Sequence, residues 1–388
     1  MVKWSPQSYF REGIRRSVKK ETIEHAIAVA NQIVAVNSKL PIIFTLNHLA
    51  VLSGSNLRFL RSIVSRIIEE PYKTFQLRKG IVLTRSGSVS RKHGRGFRTI
   101  CVPMPNLMSV QKWIAENILS QISTHEASVA YEKGSKIVDA ASIHCGCAWM
   151  IKLDVRNFFE SISEKQVYKV FRQQGYQPLV AFELARICTR VKNKGRKKRT
   201  GKHYHSIPSY SDLRLGHLPQ GAPTSPMLSN LAMIEFDKKV MEIVSGYGLY
   251  YTRYADDLCL STSDSEFTRA KTSEVIKAIY SLMNYYGLSP NLTKTRVVSP
   301  GGRKQVLGLL VDRDAPRLSR EFRAKLRQHI YFIAHPKVGP VEHAKNRGFD
   351  SVLGLRNYVE GLIAYASQIN PVYGAECRSK LEGVDWPL

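Results

Sequence analysis

The chain has 388 residues, with 58 Lys and Arg against 31 Asp and Glu, for a formal charge of +27. So large an excess repels itself unless an anion neutralises it, which points to nucleic acid ahead of an anionic membrane surface. No apolar run approaches the roughly 18 to 20 residues that span a bilayer, and the Met1–Pro6 start lacks a signal peptide's apolar core, so no membrane partner and a cytoplasmic location are expected.

Residues from about 8 to 70 read as mainly helical: Ile23, Ala26, Ile27 and Val34 fall at helical spacing, and Pro41, Gly54 and Ser55 punctuate the run. A helix is predicted over Leu57–Ile68, before Pro71. From Tyr72 to Pro103 short strands and turns take over. Residues 84 to 98 are basic, rich in Gly and Ser and without acids, a composition that an anion would order. Arg98 opens a strand, and a helix is predicted from about Met108 to Ile122. Six cysteines are scattered, with Cys145 and Cys147 the one close pair, so neither a zinc set nor a disulfide framework is expected. Residues 148 to 154 read as a buried strand ending in Asp154.

Residues 192 to 205 form a basic loop that includes Arg196, Lys197, Lys198 and Arg199, either a nucleic-acid contact or a solvated surface. A proline-rich turn over Leu218–Pro226 precedes a helix predicted from about Met227 to Val244. From about Arg313 the chain turns helical again. Leu318, Phe322, Leu326, Ile330 and Ile333 make an apolar stripe with Arg320, Arg323, Lys325 and Arg327 on the other faces. Arg323 and Arg327 then either lie along RNA phosphates or form the solvent face of a core helix. A final helix is predicted over Ser351–Ile369, stopping at Asn370-Pro371.

The chemistry concentrates at Tyr254-Ala255-Asp256-Asp257, set between two runs rich in apolar and β-branched residues. This reads as a β-hairpin with an acid pair at its tip. Adjacent aspartates repel each other, and hard Mg²⁺ is their natural partner. A polar turn is the plain alternative. Asp154 places a third acid on a different strand, as a site with two metal ions roughly 3.5 to 4 Å apart requires. Read alone, Asp154 equally caps a helix beginning at Phe158. The Leu218–Pro226 turn, stiffened by prolines and poor in side chains, admits a flat base pair or is simply an unusual loop.

These elements in this order resemble the reverse transcriptase motif set: Asp154 with Phe158-Phe159, Pro219-Gln220-Gly221-Ala222-Pro223-Thr224-Ser225-Pro226, and Tyr254-Ala255-Asp256-Asp257. Gly287–Thr295 resembles the next motif, Gln305–Leu310 the primer-grip hairpin, and Gly96-Phe97-Arg98 with Pro103 and Gln111 the fingers motif. The likeness spans roughly residues 75 to 375. It implies an α+β right-hand polymerase fold: an N-terminal helical region over 1–71, fingers and palm over 72–311, and a helical thumb over 312–388. It further implies that Asp154, Asp256 and Asp257 hold two Mg²⁺ ions, and that Lys294 protonates the leaving pyrophosphate or stands as a fixed charge. By the same likeness Phe159 excludes a ribose 2′-OH, Arg98 and Arg91 contact the dNTP triphosphate, and Gln220 touches the template or nascent pair.

Within that family the chain most resembles the bacterial retron type. Val138–His144 is similar to the retron N-A-x-x-H element with Asp139 in place of Asn, which makes His144 an RNA-binding candidate or a core histidine. Val306-Leu307-Gly308 departs from the usual Val-Thr-Gly. The resemblance implies a structured noncoding RNA as template and primer, a branched RNA–DNA product, and an effector protein in antiphage defence. The alternatives are a group II intron or abortive-infection reverse transcriptase, and a noncatalytic RNA-binding scaffold.

Overall fold

The computed structural model describes residues 4–68, 70–78, 82–83, 89–90, 97–191 and 215–387. Arg91, Arg196, Lys197, Lys198 and Arg199 lie outside them. The fold is α+β. Its strands, in chain order, are β1 (Tyr72–Arg78), β2 (Val82–Leu83), β3 (Val89–Ser90), β4 (Phe97–Pro103), β5 (Trp149–Arg156), β6 (Tyr250–Tyr254), β7 (Asp257–Thr262), β8 (Ser289–Pro290), β9 (Arg296–Val298), β10 (Gln305–Val306), β11 (Leu309–Leu310) and β12 (Arg317–Leu318). No helix among the described residues is long and apolar enough to cross a membrane.

Two compact units, each discontinuous in sequence, make up the chain. The first comprises Met1–Lys133, Val155–Lys239 and Tyr280–Asn291. Its fingers ribbon pairs β1 with β4 antiparallel, from Tyr72↔Pro103 to Arg78↔Phe97. Helix Lys20–Val36 buries Ile23, Val29, Ala30 and Ile33; of the expected stripe only Ile23 is buried, and Ala26, Ile27 and Val34 are half-buried. Helix Leu57–Val64 starts where Asn56 accepts the backbone N–H groups of Arg58 and Phe59, but it ends before the predicted Ile68. Arg66 explains the early stop. It takes a left-handed φ of 57° and sends its guanidinium to the Thr189 carbonyl and to Glu164, both at 2.7 Å. The helix predicted from Met108 begins earlier, at Pro105, whose missing N–H costs nothing in the first turn.

The helix predicted from Met227 to Val244 is two helices, Ser225–Ala232 and Ile234–Ser245. Near the break, buried Asn230 donates its amide to the Ala130 carbonyl at 2.6 Å. That long-range bond leaves no local trace in the sequence.

The second unit comprises Gly134–Asp154, Val240–Ile279 and Leu292–Leu388. Its palm strands run in the order β6–β7–β5–β9, all antiparallel. Helices Arg320–Ala334, Gly339–Arg347, Val352–Ile369 and Pro371–Ser379 follow the small sheet β10–β11–β12. One apolar cluster joins Met150 and Cys259 of the palm to Leu309, Leu326, Ile330, Leu355 and Ile363. Leu318, placed in the helical stripe by the sequence, belongs to β12 instead. Asn370-Pro371 ends one helix and starts the next: Asn370 caps it by accepting the Tyr373 N–H at 2.9 Å, with Pro371 at the first helical position.

Candidate active site

The hairpin predicted around the acid pair is present, with a two-residue turn of Ala255 and Asp256 closed by the pair Tyr254↔Asp257. Buried Ala255 holds φ at 55°, a left-handed setting that costs an L-residue roughly 1–2 kcal/mol. The Arg253 side chain, fully buried below, donates to the Ala255 carbonyl at 3.3 Å and holds the turn from inside. Asp257 is the first residue of β7, and in register it stands directly opposite Asp154 of β5. β5 runs two residues past Asp154, so this acid is part of the strand rather than its end or a helix cap.

Alternation along β5 puts Met150, Lys152 and Asp154 on one face. All three line a cavity of about 610 Å³ together with Asp257, Lys294, Arg296, Arg303, Gln305 and Glu321. The Lys294 ammonium sits 2.5 Å from Asp154 Oδ2. Burial raises the Asp256 carboxyl above its ordinary value, and Asp257 and then Asp154 push it further. Burial also raises Asp257, against the opposing charge of Lys152; Asp154 adds to the rise through its charge and a shared hydrogen bond. Crowded, half-desolvated negative charge of this kind is relieved by a cation. Among the described residues, no group of three or more His, Cys, Asp and Glu is drawn together at metal-binding spacing. Asp154 and Asp257 therefore form the close pair, and Asp256 couples to them through its charge.

Sequence reasoning missed Lys152, Arg296 and Arg303. Lys152 is legible in hindsight, two residues before Asp154 and so on the same face of the strand. Arg296 of β9 stands opposite Lys152 in register. Arg303 binds Glu321 through both nitrogens, at 2.8 and 2.7 Å, and holds that carboxyl down at about 2. A long-range pair like this has no sequence signal.

In the first unit, Phe159 lies half-buried on helix Phe158–Ser161, its ring 6.5 Å from that of Tyr131. The Gln220 carbonyl accepts the Cys101 N–H of β4 at 2.7 Å. Gly221 follows at φ 110°, where a Cβ would stand 2.9 Å from the Ile100 side chain, so only glycine lets this turn close onto the ribbon. Arg98 is exposed on the same strand, β4. In the second unit, Arg323 is half-buried, its guanidinium 5.1 Å from the Tyr373 ring centroid, whereas Arg327 is exposed.

His144 corrects an expectation. As an RNA-binding residue it would need a free edge, but it is fully buried and both ring nitrogens are engaged, with Ser261 and Thr252 at 2.7 Å. Burial lowers its pKa from 6.5 to about 4, helped by the charge of Lys152. Burial likewise lowers His329, bonded to His343 at 3.0 Å, to about 4. A base whose folded pKa is depressed contributes stability that is intact above the unfolded value of 6.5 and lost as the pH falls through the folded value. Stability is therefore expected to fall between pH 6.5 and 4, by about 1.4 kcal/mol per pH unit for His144 alone. Urea unfolding across that window in the Asp256→Asn, Asp257→Asn background, which removes the opposing carboxyl titrations, checks this, and a flat profile there contradicts it.

A palm sheet that carries acids at a hairpin tip, opposed by an acid on the central strand, defines a template-directed polymerase. Residues 90–311 match the family model described as reverse transcriptase (RNA-dependent DNA polymerase). Over 283 residues the chain is 31% identical to the retron Ec86 reverse transcriptase of Escherichia coli, covering 72% of this chain and 78% of that one. It is 29% identical to the retron Mx162 reverse transcriptase of Myxococcus xanthus, covering 60% and 49%, and 25% identical to the retron Ec83 reverse transcriptase of E. coli, covering 72% and 80%. The chain belongs to the reverse transcriptase family, RNA-directed DNA polymerases, and within it to the retron type.

Proposed function

We propose that this chain copies part of a structured noncoding RNA into a branched, RNA-linked single-stranded DNA, in the cavity where Asp154 faces Asp257. That register pair, with Lys294 on Asp154, is the observation that carries the reading. The residues present fit a hard divalent cation: two carboxylates in mutual reach, and Asp256 and Asp257 both strained upward by burial and by like charge. We assign the three aspartates to Mg²⁺, with two ions in the working site. When bound, such ions lower the pKa of an attacking hydroxyl and stabilise the charge on the phosphates.

Lys294 holds a proton on Nζ at the mouth of the cavity, for delivery to the leaving pyrophosphate. Lys152, Arg296 and Arg303 add the positive charge that draws phosphate in. Arg98 and Gln220 act on the triphosphate and the nascent pair; their support is the motif match and the backbone bond that ties the Gln220 turn to the strand carrying Arg98. An effector protein of a defence system is the expected partner, and plaque counts on cells carrying the surrounding locus test it.

The deciding experiment is primer extension on an RNA template, with and without a chelator, together with sequencing of the nucleic acid that copurifies. Chelator-sensitive DNA synthesis and a branched RNA–DNA molecule are expected. An inert protein carrying RNA alone would favour the noncatalytic scaffold.

Phe159 at the gate position gives a selectivity prediction. Phe159→Val is expected to raise ribonucleotide incorporation relative to deoxynucleotide by roughly 10- to 100-fold, the range that pocket shape supplies. Unchanged discrimination in single-nucleotide extension would leave Phe159 as packing against Tyr131 and Phe158.

A further inference from the structure

His144 is the palm residue that the proposed chemistry leaves idle. It lies just past the short helix Ile137–Ser142, and its ring reaches two strands at once. Nδ1 lies 2.7 Å from Ser261 Oγ on β7, and Nε2 lies 2.7 Å from Thr252 Oγ1 on β6. These strands are the two arms of the hairpin whose tip carries Asp256 and Asp257. A neutral imidazole donates through one nitrogen and accepts through the other, and a hydroxyl does either, so both bonds are satisfied together.

The placement is diagonal. In register Thr252 faces Cys259, and Ser261 is two residues further along, on the same face. Diagonal neighbours on paired strands stand roughly 7–8 Å apart, too far for two hydroxyls to meet directly. The imidazole spans that gap. A diagonal brace resists shear and twist between two strands, the motions that ladder bonds perpendicular to the strands resist least. β6 is at the end of the strand order and its ladder partner is β7, so it has most to gain from a brace. The same segment is tied at its other end. Gly146 N–H reaches the Val311 and Arg313 carbonyls, both at 3.0 Å, and Ala148 N–H reaches the Thr262 carbonyl at 2.8 Å.

We propose that His144 is a positioning residue for nucleotidyl transfer: its ring braces β6 against β7 and so holds Asp256 and Asp257 in one setting relative to Asp154. The inference rests on the polymerase reading above, and the wild-type assay tests that reading separately. If wild type makes no DNA, the reading fails, whatever His144 does.

The test must separate positioning from stability. His144→Leu alone takes the ring from two buried hydroxyls, at roughly 1–3 kcal/mol for Thr252 and less for Ser261, which keeps a contact with Cys147. The triple variant His144→Leu, Thr252→Val, Ser261→Ala removes the ring and both hydroxyls together, leaving only the weakly polar Cys147 thiol of that set, which brings stability back toward wild type. In that triple, kcat for dNTP incorporation is expected to fall about tenfold or more while KM for dNTP moves less than about threefold, since misplaced reacting groups cost rate rather than binding. Wild-type kcat in the folded triple overturns the proposal. Should the triple fail to fold, Thr252→Val keeps the side-chain shape and cuts one arm of the brace. A severalfold loss of kcat at constant KM supports the brace there, and an unchanged kcat overturns it.

Discussion

Asp256→Asn combined with Asp257→Asn is expected to lower DNA synthesis on an RNA template by on the order of 10³-fold or more, because both tip carboxylates that would neutralise the proposed ions are gone. The same double variant is expected to be more heat-stable than wild type in chelator at neutral pH. Both carboxyls have folded pKa values raised by burial, with Asp154 as a further like charge. An acid whose folded pKa lies above its unfolded value contributes stability that is fully present below the unfolded value, 3.8, and lost as the pH rises through the folded value. At neutral pH the metal-free wild type therefore carries an electrostatic burden that the amides lack. Melting curves at pH 7 and below 4, both in chelator, check the sign: the gap favours the variant at pH 7 and closes in acid. Retained DNA synthesis would remove the metal assignment. Lost synthesis with no stability gain would mean that the carboxyls are not strained.

The parts of this site legible in the sequence are those set by local rules. Runs rich in apolar and β-branched residues marked β6 and β7, and residues 148 to 154 read as a strand ending in Asp154, which the structure sets opposite Asp257. Long-range polar contacts were not legible. Nothing around Asn230 announces that its amide closes on Ala130, and so the helix break at Met233 was missed. His144 stays open in the sequence between an RNA contact and a core histidine because its partners, Thr252 and Ser261, are more than a hundred residues away. Asn370-Pro371 was read as a stop alone, although proline at a first helical position and a capping asparagine are also a start. Glu164 is the sharpest case. Ser163 and Gln166 mark a capping box, and the local sequence says nothing of a buried ion cluster.

That cluster carries the second large effect. Glu164 is buried at 6% exposure. Its Oε2 meets Arg66 Nη2 at 2.7 Å, Thr189 Oγ1 at 3.0 Å and the Gly216 N–H at 3.1 Å, and its Oε1 meets Arg186 at 2.7 Å. A Cβ at Gly216 would collide with the same carboxylate, so glycine is what allows the backbone this close. Glu164→Ala leaves two mostly buried guanidinium groups without their shared anion, and the expected loss is about 3–5 kcal/mol in urea unfolding. The whole cluster contributes far less than that figure, because desolvating three charges offsets most of their attraction. Replacing it entirely, with Glu164→Leu, Arg66→Met and Arg186→Met, should therefore recover most of the loss. Next to this cluster Arg190 and His217 form an isolated antiparallel bridge, exchanging N–H to carbonyl bonds at 3.0 and 2.9 Å. A mild effect of Glu164→Ala, under about 1 kcal/mol, would show that water reaches the two arginines and that the cluster is a surface feature.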